Sequence, residues 1–142
     1  MKSVFAILLV GAFLHALDLF AQSPAGLWTD QAKDTFELYG AETISGKIRS
    51  LVPASMPDGQ TLTDIHNPDP ARHKIPLIGL VFLRDFKPAG NAQWRDGTIY
   101  DPRSGKTYSC SIQMEGNDTL AVHGFIGLSL FGRTEHWRRL TP

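Results

Sequence analysis

After residues 1–21 helical periodicity is nearly absent from the chain. Its apolar side chains come in short alternating runs, cut off by turn residues at roughly ten-residue spacing. The clearest run is "GKTYSCSIQM" (105–114). It puts Tyr108, Cys110, Ile112 and Met114 on one face and Thr107, Ser109, Ser111 and Gln113 on the other, the pattern of a half-buried strand. "DTFELYG" (34–40) pairs Phe36 with Leu38, and "ETISGKIRSLV" (42–52) aligns Ile44, Gly46 and Ile48. "PLIGLVFLRDF" (76–86) is apolar on both faces, as a strand covered on both sides should be. "AQWRDGTIYD" (92–101) carries Asp96-Gly97, which reads either as a hairpin turn or as a bulge within one strand. "TLAVHGF" (119–125) and "GRTEHWRRL" (132–140) complete the set. Between the runs, "DPRSG" (101–105) and "EGND" (115–118) are turn sequences, and a loop rich in proline and aspartate runs from Pro53 to about Lys74. Short strands at this spacing predict an all-β fold. A small up-and-down antiparallel barrel of about eight strands would leave no exposed edge.

The fold must hold without covalent help, because the 142 residues include one cysteine, Cys110. Its place on an apolar strand face predicts a buried, inert thiol. The start of the chain implies an oxidising destination all the same. Lys2 precedes an apolar run from Val4 to Leu14, and "FAQSP" (20–24) follows. This reads as a secretory signal peptide over residues 1–21, cut after Ala21 or, as an alternative, after Ala16. The apolar run is too short for a permanent membrane-spanning helix. Residues 22–142 then form one domain, exported to the periplasm or beyond. Lysine plus arginine equals aspartate plus glutamate, 14 each, so no basic excess points to nucleic acid or anionic lipid. The oligomeric state is not legible.

"AGLWTD" (25–30) and "GRTEHWRRL" (132–140) resemble the two ends of a lipocalin. That resemblance implies that the tryptophan of G-x-W, Trp28, closes the barrel floor against an arginine of the last strand. By position Arg138 or Arg139 fills that role, and Arg138 is taken with Trp137 as part of the structural motif. An arginine stacked on a tryptophan face contributes about 0.5–2 kcal/mol. "DIHNPDPARHKIPLIGLVFL", "WRDGTIYDPRSGKTYSCSIQM" and "LAVHGFIGLSLFGRTEHWRR", in that order after "GLW", resemble domain-of-unknown-function family 2147, a bacterial exported family. The resemblance spans the chain after its leader and implies a small lipocalin-like barrel without an established activity.

Two polar clusters and one apolar segment are the candidate sites. "TDIHNPDPARHK" (63–74) holds Asp64, His66, Asp69 and His73. Pro68 and Pro70 impose extended geometry, which spreads His66 and His73, seven residues apart, over roughly 20 Å at about 3.3 Å per residue. A compact zinc site is therefore not expected. Asp64 and Asn67 are read first as anchors of an organised loop near the barrel rim. Asp101 is read as the cap of its own turn. No nucleophile with a base, zinc-protease or phosphate-loop pattern occurs, so no catalytic residue, metal or cofactor is expected; an enzyme using Asp64 or Asp101 is the lesser alternative. "GFIGLSLFG" (124–132) is uncharged and apolar, and is expected either to lid the mouth or to pack in the core. The expected function is a non-catalytic carrier of a small, largely apolar ligand. Its candidate contacts are Leu80, Phe82, Trp94, Tyr108, Leu128, Leu130 and Arg133. The alternative is a solid barrel that docks a protein or membrane surface.

Overall fold

The computed structural model describes residues 22–128 and 132–141; the predicted leader (1–21) and Leu130 lie outside them. Eight antiparallel strands form a closed barrel in chain order. They are β1 (Gly26–Thr29), β2 (Thr35–Tyr39), β3 (Ile44–Ser50), β4 (Val81–Gly90), β5 (Gln93–Asp101), β6 (Lys106–Glu115), β7 (Thr119–Phe125) and β8 (Gly132–Arg139). A single 3₁₀ turn, Pro70–Arg72, interrupts the long β3–β4 connection. No helix among the described residues is long and apolar enough to cross a membrane.

The alternation in the sequence becomes the inside and outside of the barrel. Phe36 and Leu38, then Ile44 and Ile48, then Cys110, Ile112 and Met114, are all buried. Burial raises the Cys110 thiol to about 12, which keeps it protonated and inert. The barrel closes where β8 meets β1 through only two residue pairs, Trp28 with Arg139 and Thr29 with Arg138. That seam is the narrowest in the sheet, and side chains reinforce it. Trp28 is fully buried and donates its indole N–H to the Pro24 carbonyl at 2.8 Å. Removing a tryptophan from water stabilises by at most about 4–6 kcal/mol at 25 cal/mol per Å².

Two features of the strands differ from the sequence reading, and one alternative it left open is decided. The apolar stretch 76–80 is not strand. Pro76 bridges to Thr63, the Leu77 amide bonds Leu62, and the Gly79 amide bonds Ile48, so the segment belongs to the long loop and sends only Leu77 and Leu80 against the core. Phe82 and Leu83 are adjacent and both buried, because the β3–β4 register slips between Gly46 and Lys47. A bulge lets two successive side chains face inward. Asp96-Gly97 is likewise a bulge in β5, with Asp96 at φ 60°, and the hairpin turn falls earlier at Asn91-Ala92, φ 53° and 56°. Gly97 lies against the Phe86 ring, where a β-carbon would sit 2.5 Å from ring atoms. The bulge thus brings the side-chain-free position to the place where the core is tightest.

Candidate functional site

The two ends of the barrel differ. At one end the N-terminal segment, the β2–β3, β4–β5 and β6–β7 turns and the chain's last strand converge, and Arg139 ties the N-terminal segment to the β6–β7 turn. Its guanidinium lies 4.3 Å from the Trp28 ring centroid. It donates to the carbonyls of Asn117 (2.8 Å), Ala25 (2.9 Å) and Ser23 (2.9 Å). The assignment of this role to Arg138 is corrected. Arg138 is exposed and reaches only the Thr119 hydroxyl, at 3.3 Å. The reason is strand parity, since Trp137 points inward and only an even step along β8 points inward again.

At the opposite end the barrel opens into a cavity of about 1100 Å³. Its floor is an aromatic layer. Phe36 stacks on Trp137 with centroids 4.4 Å apart, and Phe82 closes the group at 5.0 Å from Phe36 and 6.1 Å from Trp137. Ile48, Ile99, Tyr108 and Val122 form the walls. Above them the same inward parity that carries Trp28, Phe36 and Trp137 delivers Asp30, Asp34 and Glu135. Glu135 accepts from the Trp137 indole at 3.4 Å and pairs with Arg133 at 3.6 Å. Asp34 is buried; its Oδ1 accepts the Val52 amide at 2.8 Å, and its Oδ2 stands 4.0 Å from the Arg103 guanidinium. Asp30 accepts the Asp34 amide at 2.9 Å. Burial first, and then the charges of Asp34 and Glu135, raise the Asp30 carboxyl above the ordinary carboxylate value of 3.8.

The stretch 63–74 forms a clasp on the rim of this cavity. Asp64 is fully buried, and both oxygens are engaged: Oδ1 accepts from the Tyr100 hydroxyl at 2.6 Å and Oδ2 from the Asn67 amide at 2.7 Å. Burial and the Asp64 carboxylate push the Tyr100 phenol up to about 12. Asn67 Oδ1 accepts the Asp69 amide, Asp69 caps the 3₁₀ turn through Ala71, and His73 bonds the Asn67 carbonyl at 2.8 Å. On the other side Asp101 caps its own turn, accepting from the Arg103 amide (2.9 Å) and the Ser104 hydroxyl (2.8 Å). Gly105 is pressed against the His66 carbonyl, which any β-carbon there would overlap. The two polar clusters of the sequence are therefore one interlocked structure. His66 is exposed, and no group of three or more potential metal ligands occurs among the described residues.

The predicted ligand contacts divide. Phe82, Tyr108 and Arg133 line the cavity. Leu80 and Trp94 do not, and are corrected to core residues at 7% and 9% exposure. Trp94 precedes the β5 bulge toward the closed end, while Leu80 sits under the long loop. Leu128 is 67% exposed and Ile126, 73% exposed, lies on the cavity's edge, so this part of the apolar segment stands out from the core. Sequence reasoning missed Asp30, Asp34 and Phe36 as cavity residues. Their even spacing from Trp28 and from one another was the available signal.

A family model described as an uncharacterised protein conserved in bacteria, DUF2147, matches residues 26–139. Among solved structures, a protein from Helicobacter pylori described as belonging to the lipocalin family superposes with a TM-score of 0.76. It is 23% identical, over 84% of each chain. No curated protein sequence matches.

Proposed function

We propose, from the premise that this chain belongs to the uncharacterised bacterial family DUF2147, that it is a non-catalytic carrier of a small, largely apolar molecule in the cell envelope. The observation that carries this reading is the open cavity of about 1100 Å³ above the Phe36–Phe82–Trp137 layer. Pockets for small molecules commonly enclose about 300–1,000 Å³, with mostly apolar walls and a few placed polar groups. The Helicobacter pylori lipocalin supports the fold alone; the ligand reading rests on the cavity. Against an enzymatic role stand the polar clusters themselves. Asp64 and Asp101 hold loops together, and each has both carboxylate oxygens occupied by hydrogen bonds within the chain. The envelope assignment rests on the leader sequence over residues 1–21.

A second reading draws on the exposed Ile126 and Leu128 at the rim, which suit docking to an apolar surface. Native mass spectrometry of the mature protein, purified from its own envelope and followed by organic extraction, separates the two. A small molecule released on denaturation is the expected result. A bare apo mass, together with capture of a stoichiometric protein partner that Ile126→Ser abolishes, would replace the carrier with the docking module.

A further inference from the structure

We propose that the mouth of the barrel selects cations: an amine or quaternary ammonium carried on an apolar body. This rests on the carrier reading and specifies its ligand. Depth orders the charges. Asp34 is only 5% exposed, whereas the side chains of Arg103 and Arg133 are 83% and 86% exposed. Asp34 places its negative charge on the wall, below the positive charges of the outer rim. Among the described residues Asp34 Oδ2 has no hydrogen-bond donor, its nearest partner being the Arg103 guanidinium at 4.0 Å. That distance is too long for a hydrogen bond. Asp34 Oδ2, the accessible tip of an otherwise buried side chain, therefore faces the cavity with an acceptor position open to a ligand, while Glu135 and Asp101 already accept donors of their own.

The surface beneath it has the matching chemistry. Phe36 follows Asp34 on the same strand face, with Phe82 beside it at 5.0 Å and Tyr108 on the wall. Ring faces attract a cation within about 6 Å of the centroid, and more strongly where water is excluded. An incoming ammonium meets carboxylate and ring faces together, and its hydrocarbon body covers the apolar walls. An anion of equal length meets Asp30, Asp34 and Glu135 on the way in, and its attraction to the exposed arginines is screened by water.

The test is calorimetric titration of the mature protein with three decyl probes below their micelle concentrations: decyltrimethylammonium, decanoate and decanol. The ammonium should bind at least about tenfold more tightly than decanoate. Asp34→Asn should cut that preference to within about threefold while leaving decanol binding in place. Because Asp34 also holds the Val52 amide, a second variant acts from the exposed side. Arg103→Gln removes the competing guanidinium and should widen the ammonium preference. Decanoate binding as tightly as the ammonium, or a preference indifferent to both variants, overturns the cation assignment and leaves the carrier. Failure of all three probes to bind overturns the carrier reading and this inference with it.

Discussion

At the closed end of the barrel Trp28 is fully buried, its indole N–H bonds a backbone carbonyl, and an arginine covers its ring. At the mouth Trp137 is as deeply buried, but its indole reaches a half-exposed glutamate, and open space lies above the rings that stack on it. Both tryptophans occupy inward positions of strands that pair with one another. What separates them is the partner each polar atom finds. Backbone carbonyls at fixed places make the closed end rigid, and they accept donors from Arg139 at three points. Side-chain carboxylates at the mouth leave acceptors over. The difference teaches that this fold ties its closed end with backbone acceptors and lines its mouth with carboxylates.

The comparison breaks most sharply if the closed end is emptied. Trp28→Ala should cost about 3–5 kcal/mol of unfolding free energy in a urea titration, against a surface substitution as control. A loss below 1 kcal/mol would mean that the floor is not what holds the barrel together. Next in size is the clasp at the rim. Asp64→Ala strands the Tyr100 hydroxyl and the Asn67 amide, and should cost about 1–3 kcal/mol. Tyr100 also gives this end an alkaline signature. Its phenol is raised from 10.0 to about 12 in the folded state, so the stability it contributes is complete below pH 10 and is lost as pH rises toward 12. Tyr100→Phe should flatten that part of the stability profile, and an unchanged slope would remove Tyr100 from the clasp.

A smaller effect sharpens the assignment of the floor arginine. Arg139→Lys keeps the charge but loses the planar fork, and should cost about 1–2 kcal/mol, while Arg138→Lys costs almost nothing. Equal losses would return the role to both. The smallest effect has the opposite sign. With its folded value raised, Asp30 contributes a proton-linked stability that is complete below pH 3.8 and lost as pH rises through the folded value, so the ionised carboxylate is a net cost at neutrality. Asp30→Asn should therefore stabilise the protein at pH 7 by less than about 1 kcal/mol, since solvent screens this partly exposed group. The gain should vanish near pH 3.

Much of this architecture is legible in the sequence. Strand alternation identifies the inward set at Phe36, Leu38, Ile44, Ile48, Cys110, Ile112 and Met114, all buried in the barrel. The limits have physical causes. The apolar run from Pro76 to Leu80 resembles strand because its loop covers the core, and a covering loop needs the same residues. The choice of Arg138 over Arg139 was decidable by counting from Trp137. The union of Asp64 with Tyr100 was not, since 36 residues separate them and no local pattern announces a partner that far away. The cavity's acids escaped for a related reason. Asp30 and Asp34 look like ordinary turn residues until the strands on either side fix their direction.

Gly105 and the His66 carbonyl touch at a point where neither has room to move, and Tyr100 and Asp64 are fastened close by. The segment from Asp64 to Gly105 thus closes on itself as a ring made of loop, hairpin and two strands. Such a ring couples distant parts of the chain, so that opening it at either member would leave a buried carboxylate without its phenol, or the phenol without its acceptor.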